Sequence, residues 1–182
     1  MSKTRDCVTL QVPGLCAQIT AFIHPEQDRF VSRRLREEGI WEPYESALVL
    51  QMLEPGQVFV DVGANIGYFS LLAAHRVGAT GAVMAFEPDP GNHALLVRSA
   101  TANGFNQVIH AELAGLAERD GEATLYLSED NLGDHQIFAT GQQRDTLPIR
   151  LLQGGAFLGS RVSRLDLVKI DTQGSEYGVV KG

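Results

Sequence analysis

The chain has 182 residues, of which 44% are apolar and 20% charged, and this composition excludes collagen-like, coiled-coil and wholly disordered proteins. Its length is sufficient for a globular domain that needs no metal or disulfide to stabilise its core. The 15 Lys and Arg residues against 22 Asp and Glu residues give a net charge of -7. Because binding to phosphates requires concentrated basic side chains, this acidity argues against nucleic acid as a partner.

The sequence also carries signals about the compartment. It has no run of about 18 apolar residues, the length that would cross a membrane. The uncharged stretch at residues 8–23 contains Pro13 and Gly14, which the apolar core of a secretory leader does not favour. We therefore expect a cytoplasmic protein with no membrane partner. Cys7 and Cys16 lack the spacing of a metal site, and the sequence leaves open whether they pair.

Residues 1–56 are predicted to form an N-terminal β-hairpin and a helical extension. Apolar and polar residues alternate on both sides of a Pro-Gly pair, which predicts a hairpin over residues 8–22. Helices are expected at residues 28–38 and 44–53. Two interpretations of this segment stay open: it covers the substrate cleft, or it forms the contact of a homo-oligomer.

Residues 57–182 show the alternation of strands and helices that is typical of a parallel sheet wrapped by helices. Strands are predicted at residues 57–62, 82–86, 107–111, 122–127 and 167–171, and helices at 68–77, at 90–102 and from 175 onward. Residues 128–164 are predicted to be mostly loop. The predicted fold class is therefore α/β.

A glycine-rich loop follows the first strand of this region. The strand ends at Asp61, and residues 63–67 (GANIG) form a turn before a helix, so backbone N–H groups and a helix N-terminus lie at the carboxyl edge of the sheet. Glu87 ends the next strand, at the position where an acidic side chain accepts the hydroxyl hydrogens of a ribose. The sequence thus predicts a site for a nucleoside cofactor.

The loop favours one kind of nucleoside over another. A dinucleotide loop has the pattern G-x-G-x-x-G, but here Asn65 replaces the middle glycine and Gly67 comes one residue early. Asp61 would add negative charge beside a pyrophosphate, whereas it would attract the sulfonium and ammonium groups of S-adenosylmethionine. We therefore predict S-adenosylmethionine as the cofactor. A nicotinamide-dependent oxidoreductase remains the alternative enzyme.

Together these segments resemble the FkbM-type S-adenosylmethionine-dependent methyltransferases, over about Trp41 to Gly182. The motifs that carry the resemblance are Trp41-Glu42 and the segments 55–56, 59–70, 85–88, 115–121, 131–134, 168–176 and 179–182. The resemblance implies a Rossmann-like methyltransferase sheet flanked by helices. It also implies methyl transfer to a hydroxyl of a sugar or natural product, with a small molecule or glycan as the acceptor.

The resemblance further assigns the cofactor site. The residues that it implies as cofactor contacts are Asp61, Gly63, Asn65, Gly67 and Glu87. Tyr68, at the start of the following helix, is a further candidate contact. Members of the family continue with three more strands, so residues 57–182 are expected to be an incomplete methyltransferase domain. Gln173 stands where the family has Glu, which leaves open a non-catalytic binding module.

Two side chains are candidates for catalysis. Lys169 and Asp171 alternate along the last predicted strand and project to the same side, with Asp171 at the carboxyl end beside the cofactor edge. We predict that Asp171 orients the acceptor or accepts its proton; the alternative is that it caps the next helix or anchors Lys169. His135 is a second candidate base, because imidazole titrates near neutral pH.

Two further carboxylates carry weaker signals. Asp134 and Asp171 are far apart in sequence and make a poor metal signature, so no metal ion is predicted. Glu176 is expected in the first turn of the last helix, where it complements the helix dipole.

Overall fold

The computed structural model describes residues 6–26, 28–128, 132–133, 135–137 and 144–182. The strands are β1 Cys7–Thr9, β2 Thr20–Phe22, β3 Val58–Val62, β4 Ala82–Phe86, β5 Ile109–Glu112, β6 Gly115–Ala117, β7 Gly121–Tyr126, β8 Thr146–Gln153 and β9 Leu167–Ile170. The helices are α1 Val31–Glu38, α2 Pro43–Met52, α3 Tyr68–Val77, α4 Pro90–Ala102, α5 Gly154–Gly159 and α6 Glu176–Lys181.

The main sheet has four parallel strands in the order β5-β4-β3-β9. Along the chain, β4 and β5 are added on one side of β3, and β9 then pairs with the other side. The direction of winding therefore reverses at β3, and the carboxyl ends of β3 and β9 flank the switch point where α/β sheets bind ligands. This arrangement confirms the predicted α/β fold with a parallel sheet flanked by helices.

Helices cover both faces of this sheet. Phe59 and Val83 lie on the face that packs with the apolar residues of α3 and α4. Val60 and Met84 lie on the opposite face, in a cluster with residues of α5 and α6. All five residues of β3 are buried, and burial on both faces explains the continuous apolar runs that marked these strands in the sequence.

The N-terminal segment packs on the same core. β1 and β2 form the predicted antiparallel hairpin, and Cys7 and Cys16 are free thiols. The backbone N–H of Thr20 donates to the side chain of Asn103, just past α4, at 2.9 Å, and the Thr20 carbonyl accepts from the same side chain at 2.7 Å. Ile19 is buried in the cluster that includes Phe59, so residues on both sides of the predicted boundary at residue 56 share one core.

Several predicted bounds agree with the structure because the signals were local. α3, β4 and α4 have the predicted limits. Asp89 caps α4 by accepting from the N–H of Asn92 at 2.8 Å, with Pro90 at the first helical position. Gly39 ends α1 in the left-handed conformation.

The prediction that residues 128–164 are mostly loop missed a strand and a helix, β8 and α5. β8 pairs in antiparallel fashion with β7 and in parallel fashion with β6, which makes a second sheet of three strands, and α5 follows β8 directly. Pro148 and the adjacent pair Leu151-Leu152 break the alternation of β8, and a proline within a run argues against a strand. In the described part of the chain, no helix is long and apolar enough to cross a membrane.

Candidate active site

A cleft lies at the carboxyl ends of β3, β4 and β9. Its floor includes Gly63, Glu87 and Asp171, and the second sheet forms an apolar wall above it. The side chains of that wall are Leu116, Leu125, Ile149 and Leu151.

Glu87 is a buried carboxylate in the floor of the cleft. Its Oε2 accepts from the N–H of Asn65 at 2.7 Å, and its Oε1 accepts from the N–H of Asp89 at 2.9 Å. Burial raises the pKa of Glu87 to about 7, although these two backbone N–H groups oppose the rise. A carboxylate has about four acceptor positions, so Glu87 keeps acceptor capacity for ligand hydroxyls.

The loop between β3 and α3 owes its shape to three residues with positive φ: Gly63, Asn65 and Gly67. A Cβ on Gly63 would lie 2.0 Å from the carbonyl oxygen of Asp171, so the chain of β9 approaches too closely for any side chain. Asn65 adopts the left-handed conformation at φ +53°, which asparagine tolerates best after glycine. A Cβ on Gly67 would lie 2.7 Å from Leu96 of α4, so this glycine permits helix packing.

Asp61 points away from the cleft, although we predicted that it contacts the cofactor. Like Phe59, it faces the α3 side of the sheet; it is fully buried, and its Oδ2 accepts from Ser70 Oγ at 2.7 Å. Its Oδ1 lies 3.5 Å from Lys169 Nζ. Burial raises the pKa of Asp61, and the charge of Lys169 opposes this effect. The structure gives Asp61 a contact with Lys169, and its contact with the cofactor stays a prediction.

Tyr68 also lies outside the lining of the cleft. It is buried, its hydroxyl lies 2.8 Å from Ser46 Oγ of α2, and its ring packs edge-on against Phe69. Burial raises the pKa of the Tyr68 hydroxyl. The role that the structure supports for Tyr68 is to join α3 to α2.

Asp171 lies where we predicted, at the carboxyl end of β9 and in the lining of the cleft. Its Oδ1 accepts from Gln173 Nε2 at 3.0 Å, and its Oδ2 lies 3.7 Å from Lys169 Nζ. The anchoring of Lys169, which was the alternative interpretation, is therefore present as well.

Glu176 holds the loop that follows Asp171. It accepts from the N–H groups of Thr172 and Gly174 at 2.9 and 3.0 Å and from the Thr172 hydroxyl at 3.2 Å. These bonds, led by the one from Gly174, lower the pKa of Glu176. Its function in the structure is to fix the backbone that carries Asp171.

His135 lines the cleft on the side of the second sheet. Its Nδ1 accepts from the N–H of Ser128 at 3.0 Å. The neighbouring carbonyl of Leu132 accepts from the Asn92 side chain at 2.9 Å, and Asn92 belongs to the helix that begins just after Glu87. His135 is thus placed toward the Glu87 end of the cleft. Asp134 lies outside the described residues, among which no group of acidic, His and Cys side chains is suited to a metal ion.

Sequence reasoning therefore located part of the lining. Of the predicted residues, the cleft contains Gly63, Asn65, Glu87, His135 and Asp171. Sequence reasoning missed Asn92 and the apolar wall. Asn92 was detectable, because it lies in the first turn of a helix that starts at the carboxyl edge of the sheet. The wall was not, because its strand β8 was predicted as loop.

The charge of the lining tests which nucleoside the cleft fits. Glu87 and Asp171 are its two carboxylates, and the lining identified among the described residues includes neither Lys nor Arg. A pyrophosphate requires positive charge or a row of free N–H groups, whereas a sulfonium and an ammonium are attracted by carboxylates. The donor and acceptor groups present therefore fit S-adenosylmethionine.

Fold and cleft together define an α/β protein with a Rossmann-like sheet and an acidic nucleoside cleft at its switch point. The family model described as the methyltransferase FkbM domain matches residues 61–182, and the chain belongs to this family. The match confirms the resemblance that the motifs carried, and with it S-adenosylmethionine as the cofactor of the domain.

Three curated relatives show the breadth of similar proteins. The chain is 32% identical to the 31-O-demethyl-FK506 methyltransferase FkbM of Streptomyces tacrolimicus over 71% of the chain and 60% of that protein. It is 25% identical to the hexuronic acid methyltransferase AglP of Haloferax volcanii over the whole chain and 75% of that protein. It is 39% identical to the ribosomal RNA large subunit methyltransferase E of Halorhodospira halophila over 47% of the chain and 45% of that protein.

These relatives bear on the extent of the chain and on the prediction about nucleic acid. The chain spans between 45% and 75% of the length of the curated proteins it matches. The presence of an RNA methyltransferase among them means that the exclusion of nucleic acid, argued from net charge, has no support from the comparisons.

Proposed function

We propose that the protein is an S-adenosylmethionine-dependent methyltransferase that methylates a hydroxyl oxygen of a sugar or natural product. The observation that carries the proposal is the charge of the cleft. Glu87 and Asp171 line it, and no Lys or Arg is among the described residues of the lining. This charge favours a positively charged adenosyl compound over a nicotinamide dinucleotide, the alternative that the sequence left open.

Each part of the cleft has a place in holding the cofactor. Glu87 would accept hydrogen bonds from the ribose hydroxyls, and the apolar wall that includes Leu116 and Ile149 would cover the base. The end of the cleft at Asp171 would receive the positively charged end of the ligand. When bound, the cofactor would supply the methyl group, which would pass from sulfur to the acceptor oxygen while the electron pair of the broken bond stays on sulfur.

The chain must then position the acceptor and remove its proton. A reacting hydroxyl has to be held about 3–3.5 Å from the methyl carbon. Asp171 lies at the correct end of the cleft to orient this hydroxyl, and its carboxylate is fixed by Gln173 and Lys169. His135, the second predicted base, lies on the side of the cleft nearer to Asn92 and Glu87. One similar protein has a name that specifies an O-demethylated natural product, which supports a hydroxyl acceptor. Another has a name that specifies a sugar acid, which supports a sugar-like acceptor.

Calorimetry with S-adenosylhomocysteine and with NAD tests the cofactor. We expect S-adenosylhomocysteine to bind at least about 100-fold more tightly than NAD. Glu87→Gln should weaken its binding about 10-fold, because one acceptor is replaced by a donor. Glu118→Gln, a change of the same chemistry at a surface position, is the control. Tighter binding of NAD, or equal loss in both variants, would contradict the proposal.

Methyl transfer to a panel of glycosides and macrocyclic alcohols tests the activity and separates the two candidate side chains. We expect Asp171→Asn to lower kcat by about 100-fold or more and His135→Asn to act mainly on the KM for the cofactor. The opposite division would place the acceptor hydroxyl beside His135. Binding of S-adenosylhomocysteine without transfer to any acceptor would favour the non-catalytic binding module.

A further inference from the structure

Lys169 is the centre of a charged cluster behind the Asp171 end of the cleft. Its Nζ lies 3.5 Å from Asp61 Oδ1 and 3.7 Å from Asp171 Oδ2, and it donates to the Gly63 carbonyl at 3.4 Å. Asp61 Oδ1 is buried without a hydrogen-bond partner and faces this ammonium group. One positive charge thus stands between two carboxylates.

A third carboxylate, Glu42, reaches this cluster from the N-terminal segment. Glu42 immediately precedes α2, and its carbonyl accepts from the N–H of Ser46. The Ser46 hydroxyl contacts Tyr68, and the neighbouring Phe69 ring lies 5.2 Å from Lys169 Nζ. These contacts, with the electrostatic interaction of Glu42 with Lys169 and Asp171, place the start of α2 near the Asp171 end of the cleft and outside its lining. Burial raises the pKa of Glu42, and the negative charge of Asp171 raises it further.

The Glu42 carboxylate has no structural task in the described chain. It does not cap its own helix, and it makes no hydrogen bond to any residue that the structure describes. Its backbone is held at φ +43°, a conformation that costs a non-glycine residue free energy. Within the described ranges the other non-glycine residues with positive φ are Asn65 and Gln173, both in the lining of the cleft. Such backbone strain concentrates at functional sites.

The other two carboxylates of the cluster are already engaged. Asp171 is bonded to Gln173 and lies beside Lys169, and Asp61 is buried behind the strand with Ser70. Glu42 is therefore the carboxylate of this group that makes no hydrogen bond within the described chain.

From this geometry we infer that Glu42 contacts the acceptor hydroxyl and receives its proton, and that Glu42 and Asp171 together select an uncharged or cationic acceptor. The inference rests on the proposed function. In the transfer, the acceptor oxygen forms the bond to the methyl carbon, the bond from that carbon to sulfur breaks with its electron pair left on sulfur, and the hydroxyl proton moves to a Glu42 oxygen.

The charge balance of the cluster decides the acceptor class. Asp61 and Asp171 lie within 3.7 Å of a single ammonium group, with which Glu42 also interacts electrostatically, so this cluster carries excess negative charge. A uronate or a phosphate placed there meets repulsion at short range in a partly desolvated site, where screening by water is weak. A neutral hydroxyl compound meets no such repulsion, so neutral glycosides and macrocyclic alcohols fit better than sugar acids or RNA.

The test compares binding of S-adenosylhomocysteine with that of sinefungin, which carries an amine in place of the transferred methyl group. Wild-type protein should bind sinefungin more tightly, because its amine lies against the carboxylates. Glu42→Gln should reduce this preference about 10-fold and leave the affinity for S-adenosylhomocysteine unchanged. Glu45→Gln removes an equal charge from the same helix at an exposed position and should keep the preference.

The outcomes separate the inference from the proposed function. Failure of wild-type protein to bind S-adenosylhomocysteine overturns the proposed function and this inference with it. Two results overturn the inference alone when wild-type protein binds S-adenosylhomocysteine normally. One is an unchanged preference for sinefungin in Glu42→Gln, and the other is an equal loss of that preference in Glu45→Gln. Thermal unfolding of both variants shows that each is folded.

A second arm tests the acceptor class with an alkyl glucoside and the matched alkyl glucuronide. We expect wild-type protein to methylate the glucoside faster than the glucuronide. In Glu42→Gln the ratio of the glucoside rate to the glucuronide rate should fall several-fold, and kcat on the glucoside should fall about 100-fold. Faster methylation of the glucuronide by wild-type protein contradicts the charge argument. If neither compound is methylated, the sinefungin comparison decides.

Discussion

At the scale of single residues, Gly63 shows why a glycine pattern is ambiguous. The sequence predicted Gly63 as a cofactor contact, and Gly63 does line the cleft, but the space that a side chain would occupy is filled by the backbone of Asp171. Gly63→Ala should destabilise the fold by at least about 3 kcal/mol, since strain adds to a clash with backbone. Gly104→Ala is the control, with φ +71° against +75° and open space around it; it should cost about 1 kcal/mol. Urea denaturation measures both, and equal losses would show that the clash is relieved.

Glu87 provides the pH dependence at the same scale. With a pKa raised to about 7, Glu87 is ionised above neutral pH and becomes protonated as the pH falls below that value. The ionised form accepts ribose hydroxyls, so affinity for S-adenosylhomocysteine should fall about 10-fold between about pH 8 and about pH 6. Calorimetry over this range should give a flat profile for Glu87→Gln. A profile in Glu87→Gln as steep as in wild-type protein would assign the dependence to another group.

At the scale of elements, Glu176 links α6 to the end of β9. Its pKa is lowered by hydrogen bonds from Gly174 and Thr172, so the contribution of these bonds to stability is present above its ordinary pKa and is lost as the pH falls through the lowered value. Glu176→Ala should increase amide hydrogen exchange at Thr172 and Gly174 about 10-fold. Glu118→Ala, which breaks a surface ion pair with Lys181 of the same helix, should leave exchange at these amides unchanged.

The elements also show where sequence patterns are sufficient. α4 was predicted with its limits because Asp89, Pro90 and the residues after Ala102 carry local signals for a helix start and end. β8 was missed because just Ile149 and Leu152 of its eight residues are buried and Pro148 interrupts it. Its pairing with β6 and β7 stabilises it as a strand, and that pairing is not a local property.

At the scale of the whole molecule, the structure bears on how the chain unfolds. The sequence divided it into residues 1–56 and 57–182, whereas Ile19 and Leu35 lie in one core with Phe59. Trp41 is the single tryptophan and reports on the N-terminal segment. We expect its fluorescence and the far-ultraviolet circular dichroism to give coincident transitions in urea, as for one cooperative unit. Two separate transitions would support independent domains.

The sequence by itself determined the α/β class, the acidic residue Glu87 at the cofactor edge and the family, because periodicity, capping residues and motif spacing are properties of short segments. Only the tertiary structure decided the side to which Asp61 points and the residues that surround Lys169. Alternation along a strand says that Asp61 and Val62 face opposite ways, but which face borders the cleft depends on the packing of the helices. The electrostatic interaction between Glu42, at the start of α2, and Lys169 of β9 likewise exists only in the folded chain, because no local interaction joins segments so distant in sequence.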